Sequence, residues 1–163
     1  MKTSSIPLAA LIALALSGCG QGNSAAPAAP GPGTAASPRV VEITANDTMK
    51  YSLDTIDARP GEVLTVILTN NGTVPKEVMG HDWVLLAGGS DPVAFSAAAS
   101  VAKDTDYVPA KLKGQILAMI GLLGPRKSDQ VTFTVPSAPG SYPFLCSFPA
   151  HYQAGMHGNL VVK

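Results

Sequence analysis

GEVLTVILTN (residues 61–70) and QVTFTV (residues 130–135) are the stretches that decide the fold. The first is rich in β-branched and aliphatic residues and stops at Asn70-Asn71-Gly72, a turn signal. In the second, Val131, Phe133 and Val135 alternate with Thr132 and Thr134, the period of a strand with one apolar and one wet face. Similar short runs lie on either side, at residues 39–44, 50–56, 83–86, 141–146 and 159–162. Seven or eight short strands separated by Gly- and Pro-containing turns predict an all-β sandwich or barrel. Residues 116–123 suit a helix or a strand, and the fold of residues 105–123 stays open at this level. One segment breaks the strand pattern. Asp91 suits a helix cap, Pro92 suits the first turn, and residues 93–103 are rich in alanine. They predict a short inserted helix whose apolar stripe is Val93, Ala94, Ala97, Ala98 and Val101.

Composition narrows the function. The chain has 163 residues, 46% of them hydrophobic and 13% charged, which suits one domain plus extensions. Lys plus Arg and Asp plus Glu are each 11, giving no net charge. That balance argues against nucleic-acid binding, which normally needs a basic patch. Two cysteines exclude a disulfide scaffold.

The beginning of the chain reads as a targeting segment. Lys2 precedes IPLAALIALAL (residues 6–16), which is too short to span a bilayer and fits a secretory apolar stretch. Leu16-Ser17-Gly18-Cys19 follows. This order resembles the bacterial lipoprotein signal, which implies cleavage after residue 18 and a lipid on Cys19; an ordinary signal peptide cleaved nearby is the alternative. Two or three acyl chains make such an anchor persistent. Residues 20–38, GQGNSAAPAAPGPGTAASP, carry no large apolar side chain and read as a proline-stiffened tether. The expected organisation is therefore a signal peptide at 1–18, a lipidated cysteine and tether at 19–38, and a folded domain at 39–163.

The chemistry is concentrated in two places. Near the end stands CSFPAHYQAGMHG (residues 146–158), with Cys146, His151 and Met156; upstream is MGHDW (residues 79–83), with His81. A thiolate and a thioether suit Cu(I), and imidazole also suits Cu(II). Two His, one Cys and a weak axial Met together suit a metal that cycles between both states. Zinc suits the same donors and would make the site redox-silent. His157 adjoins Met156, but neighbours in an extended loop point apart, so it is expected to be exposed.

NGTVPKEVMGHDWVL (residues 71–85) and CSFPAH (residues 146–151) closely resemble the type 1 blue copper proteins of the cupredoxin family, nearest azurin and auracyanin. The resemblance covers residues 40–163 and implies a Greek-key β-sandwich of about eight strands. It also implies His81, Cys146 and His151 as a trigonal ligand plane and Met156 as a long axial ligand. The Gly80 carbonyl would stand on the opposite side. Asp82, Ser147 and Phe148 would support these groups. Four residues separate His151 from Met156, one more than in azurin and similar to auracyanin. The cystine of the family is absent. Asp82 stands where azurin has asparagine and should hold its place by accepting from the Ser147 hydroxyl or backbone N–H groups. Asn70 lies where azurin carries a histidine. Trp83 is expected on the face of His81, and Tyr142, Phe144 and Cys146 on one face of their strand. Phe148, Pro149 and Ala150 are expected to form an apolar collar around a partly exposed His151, extended by Met79 and by Ile120, Leu122 or Leu123.

The resemblance implies a one-electron carrier with one copper ion, not an enzyme. Three histidines are too few for a copper oxidase or nitrite reductase. Implied partners are cytochromes or other redox proteins of the cell envelope, met by a lipid-anchored monomer outside the cytoplasmic membrane. A copper carrier or storage protein without a redox role is the alternative function.

Overall fold

The computed structural model describes residues 1, 2 and 31–163. The apolar stretch at 6–16, Cys19 and most of the tether lie outside the described residues. No helix among the described residues is long and apolar enough to cross a membrane.

In chain order the elements are β1 (Arg39–Ala45), β2 (Thr55–Ala58), β3 (Val63–Asn70), α1 (Lys76–Met79), β4 (His81–Leu86), α2 (Pro92–Ala99), β5 (Ile116–Leu123), β6 (Ser128–Thr134), β7 (Gly140–Leu145) and β8 (His157–Val162). Two 3₁₀ turns, Lys103–Thr105 and Ala110–Gln115, lie between α2 and β5. The strands form two sheets, ordered β1-β3-β6 and β2-β8-β7-β4-β5. β1 runs parallel to β3 and β2 parallel to β8; the other pairs are antiparallel. The chain crosses repeatedly between the sheets, so this is the all-β sandwich of about eight strands with an inserted helix.

Alternation explains the central strands. In β3, Leu64, Val66 and Leu68 are fully buried, while Thr65 and Thr69 face β6 and bond Thr132 and Ser128 through their hydroxyls at 2.7 and 3.0 Å. In β6 the period-two reading holds: Thr132 and Thr134 are exposed and Val131 and Phe133 turn inward. Every residue of β4 is buried, because this strand lies between β5 and β7. Trp83 fills the space between the sheets, its ring 5.6 Å from Phe144 and 6.0 Å from Phe133.

Two expectations change and one open segment is settled. Residues 50–56 are not one strand. Ser52 N–H donates to the Thr44 carbonyl, Tyr51 makes a single bridge to Ala45, and β2 begins at Thr55 in the other sheet. The chain changes sheets here, so one continuous strand is impossible. Residues 116–123 resolve as strand β5, with Ala118 and Ile120 buried and Leu117 and Gly121 exposed. The helix is present and Asp91 caps it, accepting from Val93 and Ala94 N–H at 2.9 and 3.1 Å. Its buried residues, however, are Phe95, Ser96 and Ala99, while Val93 and Val101 are 58% and 85% exposed. One large ring at Phe95 outweighs a stripe of small side chains, because burial free energy scales with apolar area.

The tether's last residues meet the domain. Gly33 N–H donates to Glu62 Oε1 at 3.3 Å, and Val63 N–H donates to the Gly33 carbonyl at 3.0 Å. Glu62 also accepts from Arg39 Nε at 2.5 Å and Arg59 N–H at 2.8 Å. This cluster sits where β1 and β3 begin, at the opposite pole from the starts of β4 and β8.

Candidate metal centre

The first loop of the site connects β3 to β4. Asn70 anchors it: its side chain accepts from Gly72 N–H at 2.8 Å and donates to the Leu123 carbonyl at 3.2 Å. The short α1 then leads to Gly80. A methyl group on Gly80 would meet the Lys76 carbonyl at 2.7 Å and Leu122 Cγ at 2.8 Å, so only glycine fits this passage. The close approach therefore lets the chain pass Leu122 and deliver His81 as the first residue of β4. The β4–β5 register shifts between His81 and Trp83, a bulge that re-aims the strand end. Both side chains are fully buried, but the bulge means that simple two-residue spacing does not relate their directions.

The second loop connects β7 to β8 and closes on itself. Cys146 N–H donates to the Met156 carbonyl at 3.0 Å, Met156 N–H to the His151 carbonyl at 2.9 Å, and His151 N–H to the Phe148 carbonyl at 3.1 Å. Ala150 and Gly155 take positive φ, 69° and 94°, to complete the tight turns. Asp82 ties the two loops together. Its carboxylate accepts from Ser147 N–H at 2.7 Å and from the Ser147 hydroxyl, as expected from the sequence. The Tyr51 hydroxyl donates to the Asp82 carbonyl.

These contacts bring His81, Cys146 and His151 together, with one ligand atom from each within 4.8 Å of the others. Cys146 Sγ lies 3.3 Å from His151 Nδ1, and the two imidazole centroids are 5.0 Å apart. All three residues are buried, as is Met156, whose backbone is held by both neighbours. His157 is exposed and stacks on Tyr152 at 4.6 Å. One expectation changes: His151 is 1% exposed rather than partly exposed. Phe148 lies over it at 4.7 Å, and Tyr107 packs edge-on against Phe148 at 4.9 Å. Tyr107 comes from the segment after α2 and carries no sequence signal for this role. Ile120 is core beside Trp83 and not part of a surface patch, whereas Met79, Leu122 and Leu123 are partly exposed.

Electrostatics favour a soft or borderline cation here. Burial lowers the His81 pKa, opposed only in part by the Asn46 carbonyl and the Asp47 charge. Burial and His81 lower His151 to about 4, so both rings are neutral donors at pH 7. Burial, then the Asp82 charge, pushes the Cys146 thiol well above its usual range, so the sulfur needs a metal to lose its proton there. Burial likewise raises Asp82 to about 6, against the donors of Ser147. Neither ring nitrogen of His81 has a hydrogen-bond partner among the described residues. Leaving a buried polar atom unpaired costs about 1–3 kcal/mol. A bound ion would satisfy it. One thiolate and two imidazoles fit copper, and the carboxylate of Asp82, next to His81, turns to Ser147.

Comparison with known proteins agrees with this donor set. The profile described as "Copper binding proteins, plastocyanin/azurin family" matches residues 39–163. The protein belongs to the plastocyanin/azurin family. It is similar to azurin from Pseudomonas denitrificans, with 34% identity over 126 residues covering 76% of this chain and 97% of that protein. It is also similar to auracyanin-B from Chloroflexus aurantiacus, at 33% identity over 76% of this chain and 52% of that longer protein. Among solved structures, reduced auracyanin from Roseiflexus castenholzii superposes with a TM-score of 0.67 at 35% identity, covering 76% of this chain and 96% of that one. As a plastocyanin/azurin protein, the chain has copper as its cofactor, and the His81–Cys146–His151 group fits one type 1 ion.

Proposed function

We propose that this protein is a lipid-anchored one-electron carrier of the bacterial cell envelope. One observation supports the electron-carrier part of the reading: His81, Cys146 and His151 meet in a buried cluster. When bound, copper supplies the Cu(I)/Cu(II) couple. The chain supplies rigidity. Asp82 locks the first loop to the second, and the backbone bonds among Cys146, His151 and Met156 hold the donor set in one shape. A donor set that barely moves keeps the reorganisation accompanying electron transfer small. Met156 and the Gly80 carbonyl would complete the set of groups that hold the ion.

The same rigidity and burial argue against a carrier that releases its metal readily, and the function proposed involves no substrate turnover. Partners are redox proteins such as cytochromes, which need only a small, transient interface. Lipid on Cys19 would confine those encounters to a shell above the membrane.

The test is the visible spectrum and electron paramagnetic resonance of the purified domain after addition of Cu(II). An intense thiolate-to-copper band that disappears in Cys146→Ser is expected. Copper bound with only a faint band would favour the carrier reading instead.

A further inference from the structure

The turn that follows α2 contains two consecutive non-glycine residues in the left-handed region, Asp106 at φ 49° and Tyr107 at φ 63°. Such residues are uncommon and cost roughly 1–3 kcal/mol each unless their surroundings hold them. Here the surroundings do. Asp106 N–H donates to the Lys103 carbonyl and Tyr107 N–H to the Ala102 carbonyl, at 3.1 and 3.0 Å. The Asp106 carboxylate pairs with Lys76 at 3.1 Å, tying the turn to α1, just before His81. The result is that the Tyr107 ring is buried edge-on against Phe148, which itself lies on His151. A turn held in a costly conformation with its aromatic ring packed into the roof of the site is poorly explained as a mere connection.

We propose that Tyr107 is a positioning residue that latches Phe148 over His151. The latch closes the metal pocket to water and small reagents. This closure does not rest on the electron-carrier reading.

The experiment uses the metal-free full chain with Cys19→Ser in every variant, which leaves Cys146 as the one thiol of the sequence, and an aromatic disulfide reagent that reacts with it. The sulfur is buried, so modification reports opening of the roof. Tyr107→Ala should accelerate modification roughly tenfold, the scale of a lost edge-to-face ring contact, and Tyr107→Phe should stay within about twofold of the unmodified chain. Ile43→Val, a core change in the other sheet, serves as a stability control and should leave the rate near that of the unmodified chain. If Tyr107→Ala does not fold, Tyr107→Leu is read in the same way. Equal rates for Tyr107→Ala and the unmodified chain would overturn the proposal. So would acceleration by Tyr107→Phe, or by Ile43→Val, to the same extent as Tyr107→Ala. Failure of the unmodified chain to give a thiolate-to-copper band would instead overturn the electron-carrier reading and leave this result standing.

Discussion

At the scale of single residues, Asp82 decides how the two ligand loops stay together. Its carboxylate accepts both donors of Ser147 in a fully buried position. Asp82→Ala leaves the Ser147 N–H unpaired and should destabilise the fold by about 1–3 kcal/mol, measured by urea unfolding. Asp82→Asn keeps an acceptor and removes a negative charge beside Cys146. Negative charge there favours Cu(II), so the substitution should raise the reduction potential in a redox titration at pH 8, well above the pKa of about 6. The role of Asp82 was legible from the resemblance, which sets it where azurin has asparagine, and from the acceptor-only chemistry of a carboxylate. Burial of His151 was not, because the ring that holds Phe148 over it comes from Tyr107, more than forty positions away with no motif of its own.

At the scale of elements, α2 shows how a pattern of small residues misleads. Phe95→Ala should cost about 3–5 kcal/mol of stability, whereas Val93→Ala should change the urea midpoint little, since its side chain is mostly exposed. β8 makes a different demand. Gly158 pairs with Phe144 of β7, and a methyl group there would collide with the Phe144 ring and the Asp54 carbonyl. Gly158→Ala should destabilise by about 1–3 kcal/mol and displace the neighbouring Met156. The starts of β1 and β3 share one carboxylate, Glu62. Burial pushes its pKa up, but the Arg39 side chain, the N–H groups of Arg59 and Gly33, and the Arg39 charge outweigh burial and hold it below its ordinary 4.5. A depressed carboxyl stabilises the fold above pH 4.5, and the contribution is lost as pH falls through the folded pKa. Glu62→Gln should therefore be less stable than the unmodified chain at pH 7, with the gap in urea midpoint closing below pH 4.5.

At the scale of the whole molecule, metal binding and folding are one equilibrium. An ion that binds only the folded pocket stabilises the chain by mass action. Copper should raise the calorimetric melting temperature and a chelator should lower it again, with the increase sharply reduced in Cys146→Ser. The proposed anchor acts at this scale too: Cys19→Ser should move the protein from the membrane fraction to the soluble fraction. The sequence by itself determined the all-β class, the helix cap at Asp91 and the grouping of Cys146, His151 and Met156, because each depends on residues close together in the chain. Period-two alternation and local spacing are enough for those. Tertiary structure alone decided that residues 116–123 form a strand, that Phe95 is the buried face of α2, and that Tyr107 and Phe148 roof the site. Each of these depends on which distant surface a residue meets, and a one-dimensional pattern does not encode that meeting.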